Sequence, residues 1–313
     1  MLVAAGKPWR WDLPTGVAPP PVPADNPMSA AKIELGRRLF YDADLSANGT
    51  MACAACHEQK RGFADGNATR PGVHGDPGRR NVPGLANVGW LSPLTAADPA
   101  LTRLEDQALV PLLGTQPVEM GMKALEAELP RRLGADACYR TMFARAFPAE
   151  KGRIDTRTVT AALAAFQRTL IAQNSPYDRY SRGEGTMPAA AQQGLHLFDR
   201  RCASCHGGPD MTDLRYHGFG PAEARDPGLI EKTGRAEDAG RFRTPSLRNV
   251  AVTGPWWHDG SARTMTDAIR RHGLALPEEA MAPLTTLLDQ MTDVRFLTDP
   301  RFAMSDRACG KRL

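Results

Sequence analysis

Two short motifs, Cys53-Ala-Ala-Cys56-His57 and Cys202-Ala-Ser-Cys205-His206, constrain this chain more than anything else in it. Two thiols three positions apart at the start of a helix can both add to vinyl groups on one edge of a porphyrin, and the next imidazole then faces the iron. Each motif therefore reads as the attachment site of one c-type haem, with His57 and His206 as proximal ligands. Two such pairs could instead supply four thiolates to zinc, but the pairs of a zinc ribbon usually stand about 15–20 residues apart. Here they lie in opposite halves of the chain, and both carry the histidine.

At 313 residues the chain can bury a substantial core, and its size favours two domains. The formal charge of +4 is spread along the sequence and gives no nucleic-acid footprint. No run of about 18 apolar residues occurs, so no membrane-spanning helix is expected. Because c-type haem is attached outside the bacterial cytoplasm, the expected location is the periplasm. The opening Met1-Leu-Val-Ala-Ala-Gly6 is too short for a signal-peptide core, so an export signal is expected to have been removed. Cys138 and Cys309 remain as an even pair. They could form a disulfide pinning the C-terminal tail to the first half, or stay as two buried thiols; sequence cannot supply the distance that decides.

Around the two motifs the chain repeats itself. Residues 1–27, rich in Pro and apolar side chains, read as an extended surface arm, with folded structure starting at Met28. Ser29 is a natural N-cap for a helix through Ile33, Leu35 and Leu39-Phe40 that leads into the first motif. Pro188 likewise opens a helical run through Leu197-Phe198 into the second motif. Downstream, Pro83-Gly-Leu85-Ala-Asn87-Val88 corresponds to Pro245-Ser-Leu247-Arg-Asn249-Val250. Ile154 to Ser175 carries apolar residues at helical spacing, and Gly183 and Gly185 supply hinge material beyond it. These features predict a mainly α fold of two cytochrome c-like domains related by internal duplication, residues 28–182 and 183–313, each with one covalent haem. The 29 Gly and 26 Pro residues predict long irregular loops.

The repeat is most informative where it fails. Helix-like segments begin at Leu104-Glu-Asp106 and at Met265-Thr-Asp267, and seven positions on from their first residues stand Pro111 and His272. If both segments lie over the distal face of a haem, His272 closes the sixth position of the second iron, while Pro111 offers no ligating atom. The first iron would stay open and reactive, the second low-spin and suited to electron transfer. Met265 and His258 are the competing sixth ligands, and a histidine in an amphipathic segment can also simply face solvent.

The series Leu35-Gly-Arg-Arg-Leu-Phe40, Leu45-Ser-Ala-Asn-Gly-Thr-Met-Ala-Cys53, Arg80-Asn81, Gln107-Ala-Leu-Val-Pro111, Glu119-Met-Gly121, Ser175-Pro-Tyr-Asp178 and His258-Asp-Gly-Ser261 resembles the bacterial di-haem cytochrome c peroxidase and MauG superfamily over nearly the whole chain from about residue 28. The opening Trp11-Asp-Leu-Pro14 with Asp25-Asn-Pro-Met-Ser29 looks most like the MbnH group, MauG-like di-haem enzymes paired with a separate copper-binding protein substrate.

The resemblance implies that His57 backs a high-spin, peroxide-binding haem with Gln107, Pro111 and Glu119 on its distal side. It makes Glu119 the acid-base group that moves a proton between the peroxide oxygens. It makes Trp90 an electron relay between the haems. It also implies one calcium ion between the domains, held by Asn81, Thr253 and Pro255 through one side-chain oxygen and two backbone carbonyls. Relatives of the MauG type carry Tyr, and typical peroxidases Met, where this chain offers His272; bis-imidazole ligation should lower the second haem's potential and ease access to a high-valent state. His74, in a loop where typical peroxidases place a displaceable ligand to the first haem, lies one residue closer to Arg80-Asn81 than in that pattern and is expected to face solvent.

The expected function is that of an enzyme which uses hydrogen peroxide to oxidise a residue, a tryptophan if the MbnH likeness holds, on a periplasmic partner protein. An ordinary peroxidase drawing electrons from a small cytochrome c or cupredoxin is the alternative. A non-enzymatic di-haem electron carrier is a third class, and the Pro111, Gln107 and Glu119 set would be pointless in it.

Overall fold

The computed structural model describes residues 9–219 and 225–312. Among these the chain forms helices α1 (Ala30–Phe40), α2 (Cys53–Cys56), α3 (Leu104–Gln107), α4 (Leu109–Leu113), α5 (Glu128–Ala135), α6 (Ala137–Ala146) and α7 (Thr156–Gln167) in its first half. The second half adds α8 (Pro176–Ser181), α9 (Ala189–Arg201), α10 (Ala203–His206), α11 (Ile230–Thr233), α12 (Met265–Arg270), α13 (Met281–Gln290) and α14 (Val294–Thr298). Strand among the described residues amounts to two antiparallel ladders, β1 (Tyr216–Gly218) with β2 (Arg241–Arg243), and β3 (Arg307–Ala308) with β4 (Lys311–Arg312). The fold is mainly helical, as the sequence predicts, and long loops separate the helices.

The same construction recurs in the two halves. In the first, α1 packs on α7; in the second, α9 packs on α13. Both crossings close on a glycine: a Cβ on Gly36 would lie 1.9 Å from the Ala162 carbonyl oxygen, and one on Gly194 2.2 Å from that of Pro283. Any side chain there would push the helices apart. After each motif a fully buried asparagine takes a left-handed backbone, Asn87 at φ 60° and Asn249 at φ 58°. Asn87 donates its N–H to Leu170 O and accepts from Ala172 N through Oδ1, each at 2.8 Å. Asn249 does the same with Met291 O at 3.0 Å and Asp293 N at 2.8 Å. Asparagine tolerates this conformation better than most residues, and its amide supplies the second bond.

Local capping explains the helix limits. Ser29 Oγ accepts from Lys32 N at 3.2 Å, and α7 opens on a capping box between Asp155 and Thr158. The helix expected over Ile154 to Ser175 is shorter, because the backbone of Leu170 and Ala172 leaves it to bond Asn87. Ser175 instead caps the separate helix α8.

The N-terminal arm corrects a second expectation. Folded structure begins before Met28: Asn26 is buried and donates to Glu105 Oε1 at 2.7 Å and Ala161 O at 2.9 Å, while Lys32 Nζ donates to its Oδ1 at 2.9 Å. Arg168 closes this network on Glu105 Oε2 at 2.8 Å. A buried polar side chain must find partners, and Asn26 finds them on α1, α3 and α7. Expectations about residues 1–8 lie outside the described residues.

One apolar core runs from Leu35 through Met122, Phe143 and Phe166 to Leu170; a second joins Met187, Phe198, Leu284, Leu287 and Met291. Phe296 and Phe302 pack in the first core, although they follow the second in sequence. Cys138 and Cys309 are joined in a disulfide with an S–S distance of 2.05 Å, which ties the tail to α6.

Candidate functional site

The two Cys-x-x-Cys-His motifs are built alike. Cys53–Cys56 is the single turn α2, closed by His57, whose Nδ1–H donates to Phe63 O at 2.6 Å. In the second motif His206 Nδ1 lies 3.3 Å from Met211 O. A carbonyl only accepts, so the proton sits on Nδ1 and leaves each Nε2 as a free lone pair for a metal. Phe63 and Met211 both have positive φ, at 63° and 52°, turning their carbonyls toward the ring. Burial lowers the pKa of His57, and burial pushes His206 down to about 4. Both shifts favour the neutral ring that metal ligation requires.

His272 faces His206. The ring centres are 6.3 Å apart with planes inclined by 67°. Two imidazoles, each bonding a shared metal at about 2 Å through a nitrogen about 1 Å from its ring centre, place those centres about 6 Å apart. The spacing thus fits one iron between the rings. His272 Nδ1 donates to Ala268 O at 2.9 Å, which again leaves Nε2 free. Of the competing ligands, Met265 packs among the partly buried apolar residues around the second core, and His258 stacks on Phe242 at 3.9 Å. His272 lies just past the end of α12 rather than within it.

In the first half α3 and α4 run from Leu104 to Leu113 and carry Gln107 and Pro111. Pro111 O accepts from Met120 N at 2.9 Å, and Leu112 O from Met122 N at 3.0 Å, so Glu119 is set down beside Pro111. Glu119 also lies close enough to Cys53 and Cys56 for its charge to act on both thiols. Its side chain is open at the surface yet crowded by protein, and this desolvation raises its carboxyl pKa. A carboxyl that can hold a proton above the usual range suits acid-base work. His74 is exposed, on a loop joined to the Glu119 segment by Val73 N donating to Glu119 O at 2.7 Å. Trp90 is partly buried, and its indole N–H donates to Ala18 O of the arm at 3.2 Å.

Asn81 Nδ2 donates to the carbonyls of Asn67 at 2.9 Å and Ala68 at 3.2 Å, an arrangement that directs Oδ1 the other way. Its backbone N–H reaches across to His258 O at 2.8 Å, joining the first half to the segment that follows Thr253 and Pro255.

Residues 30–186 match the family model described as di-haem cytochrome c peroxidase. The chain belongs to this family. It is 33% identical to the methylamine utilization protein MauG of Methylophilus methylotrophus, over 80% of this chain and 75% of that protein. It is 31% identical to the cytochrome c551 peroxidase of Nitrosomonas europaea, over 81% of this chain and 76% of that one. A crystal structure of a MauG-like protein associated with microbial copper homeostasis superposes with a TM-score of 0.91 at 39% identity, covering 96% of this chain and 100% of that one. The di-haem peroxidase family is one of haem-dependent oxidoreductases, and this chain is an enzyme of that kind. No helix among the described residues is long and apolar enough to cross a membrane.

Several residues of this di-haem peroxidase escaped sequence reasoning. Phe63 and Met211 act through their carbonyls, which leave no side-chain signature. Trp257 and Phe219 contact the His272 ring from distant parts of the chain. The repeat could have flagged Phe63 and Met211, since each follows its motif histidine by five or six positions.

Proposed function

We propose that this protein uses hydrogen peroxide to oxidise a residue on a partner protein, with two unequal haem sites. The observation that carries the reading is that His272 stands opposite His206 at a ligand spacing, whereas the repeat puts Pro111 at the corresponding place in the first half. When bound, the two haems would supply the redox chemistry for the two oxidising equivalents that peroxide carries.

The chain's own residues have separable parts in this scheme. His57 and His206 present neutral Nε2 atoms, held by Phe63 and Met211. Pro111 would keep the distal side of the first site free of a ligating atom, and Gln107 would offer its amide to the peroxide substrate. Glu119, beside Pro111, accepts a proton from one peroxide oxygen and returns it to the other, and its raised pKa supports that exchange. Trp90 serves as the relay between the two sites. Asn81 Oδ1 and the carbonyls of Thr253 and Pro255 are proposed to hold one calcium ion where the halves meet. We place the protein in the periplasm and read residues 28–182 and 183–313 as duplicated cytochrome c-like domains. A tryptophan on a copper-associated protein is the proposed substrate residue, on the strength of the likeness to the copper-homeostasis relative.

Spectra of the oxidised holoprotein test the assignment. One high-spin and one bis-histidine low-spin haem are expected, and His272→Ala should abolish the low-spin component. Two low-spin haems in the wild type would instead favour a peroxidase with His74 as a displaceable ligand. Peroxide added without reductant should produce a long-lived state two equivalents oxidised; rapid return to the resting spectrum would remove the partner-oxidation proposal.

A further inference from the structure

Trp257 is the feature of the second site that neither the motif nor the repeat explains. Its backbone lies at φ 78°, in a region that bulky side chains seldom enter. Such conformations persist only where the surroundings hold them, and here they do. Trp256 and Ala262 exchange backbone hydrogen bonds at 2.9 and 3.2 Å, Gly260 N donates to Trp257 O at 3.1 Å, and Trp256 Nε1 donates to Val250 O at 2.9 Å. Gly260 packs on Ala68 so tightly that a Cβ would come within 2.4 Å of its Cα.

The pinned backbone delivers the indole to His272. The two ring centres are 5.4 Å apart and nearly perpendicular, at 88°. Phe219 meets the same imidazole at 4.8 Å and 63°, and touches the indole at 6.1 Å. With the Nδ1 bond to Ala268 O at 2.9 Å, three contacts from three segments fix the ring plane. That plane stands at 67° to His206.

We infer that Trp257, supported by Phe219, is a positioning residue that holds the His272 imidazole steeply inclined to His206. The inference rests on the reading of His272 as the sixth ligand. Groups around a metal ligand orient it and thereby tune the metal. Two axial imidazoles with parallel planes donate into the same iron d orbital and split the pair of π-type d orbitals. Steeply inclined planes donate into both and bring them close together in energy. The oxidised low-spin iron then gives an EPR signal with a large maximal g value, and its potential is higher than with parallel rings.

EPR and potentiometry of the holoprotein test this without recourse to turnover. The wild type should show a large-gmax low-spin signal beside the high-spin one. Trp257→Ala should lower gmax and the potential of the second haem, with the high-spin signal of the first haem unchanged. Trp257→Phe, which retains an aromatic edge, should stay close to wild type. If Trp257→Ala fails to take up haem, Phe219→Ala decides: Phe219 is 48% exposed, and its removal should shift gmax in the same direction. A wild-type signal typical of parallel ligands, or g values unmoved in the variants that fold, would overturn the inference. Persistence of the low-spin signal in His272→Ala would instead overturn the ligand assignment beneath it.

Discussion

Arg248 and Asp178 form an ion pair in which each side chain is only 4% exposed, with Nη1 2.8 Å from Oδ1 and 3.0 Å from Oδ2. Arg248 also donates to Ala172 O at 2.9 Å, and Asp178 Oδ2 caps α8 by accepting from Ser175 N at 2.9 Å. The pair thus joins the Asn249 segment to the stretch between α7 and α8. Asp178→Ala leaves Arg248 with Asp210, 3.5 Å from its Nε, as the remaining counter-charge and removes the cap of α8, so it should cost about 3 kcal/mol, the low end for a broken buried pair. Denaturant unfolding followed by far-UV dichroism measures it. A joint replacement of both residues by apolar ones should cost less than Asp178→Ala alone.

The glycine crossings predict a matched pair of effects. Gly36→Ala and Gly194→Ala each drive a methyl into a backbone carbonyl, which the helices can relieve only by separating. Each should destabilise by about 1–3 kcal/mol. Thermal melts read the loss. The haem spectra should separate the two, with Gly36→Ala disturbing the first haem and Gly194→Ala the second.

Glu119 predicts a pH dependence of catalysis. In its proposed role it must be ionised to accept the first peroxide proton, and desolvation raises its pKa above the ordinary value of 4.5. Turnover should therefore fall on the acid side with a midpoint above 4.5. Glu119→Gln should lose about 10²–10⁴-fold in rate and flatten that limb. Stability should move the opposite way. The native state binds more protons than the unfolded chain between the two pKa values, so the penalty of keeping Glu119 in place grows as pH rises through that interval. Glu119→Gln should be relatively more stable at neutral pH than in acid.

Glu105 has the reverse sign. Burial works to raise its carboxyl pKa, but the hydrogen bonds from Arg168 and Asn26, together with the charge of Arg168, outweigh burial and hold it below the ordinary value. Its contribution is complete above the ordinary value of 4.5 and is lost as pH falls through the lowered native value. Glu105→Gln should cost about 1.5–3 kcal/mol at neutral pH. The difference from wild type should shrink in acid, as paired denaturation curves at several pH values would reveal.

What could be read in advance divides along physical lines. The haem motifs, the cap at Ser29 and the helix opening at Pro188 were legible because short-range covalent chemistry and capping fix them. The approach of His272 to the second motif was legible because a repeat exposes its own exceptions. The bounds of α7 were not, since the end of that helix is decided by Asn87, whose amide competes for the backbone from far away in sequence. The burial of Asn26 was hidden for a similar reason: a proline-rich context suggests an exposed arm, and only the facing Glu105 and Lys32 make its burial favourable. Trp257 left no signal at all, because a left-handed tryptophan cannot be recognised until the loop that compels it is seen.

The return of Phe296 and Phe302 to the first core has a consequence for how the chain matures. Those rings are translated after both haem motifs and after nearly all of the second core. Until Phe296 and Phe302 are in place, the space they fill beside Phe63 has no occupant from the first half. The first half to be made is thus the last to be finished.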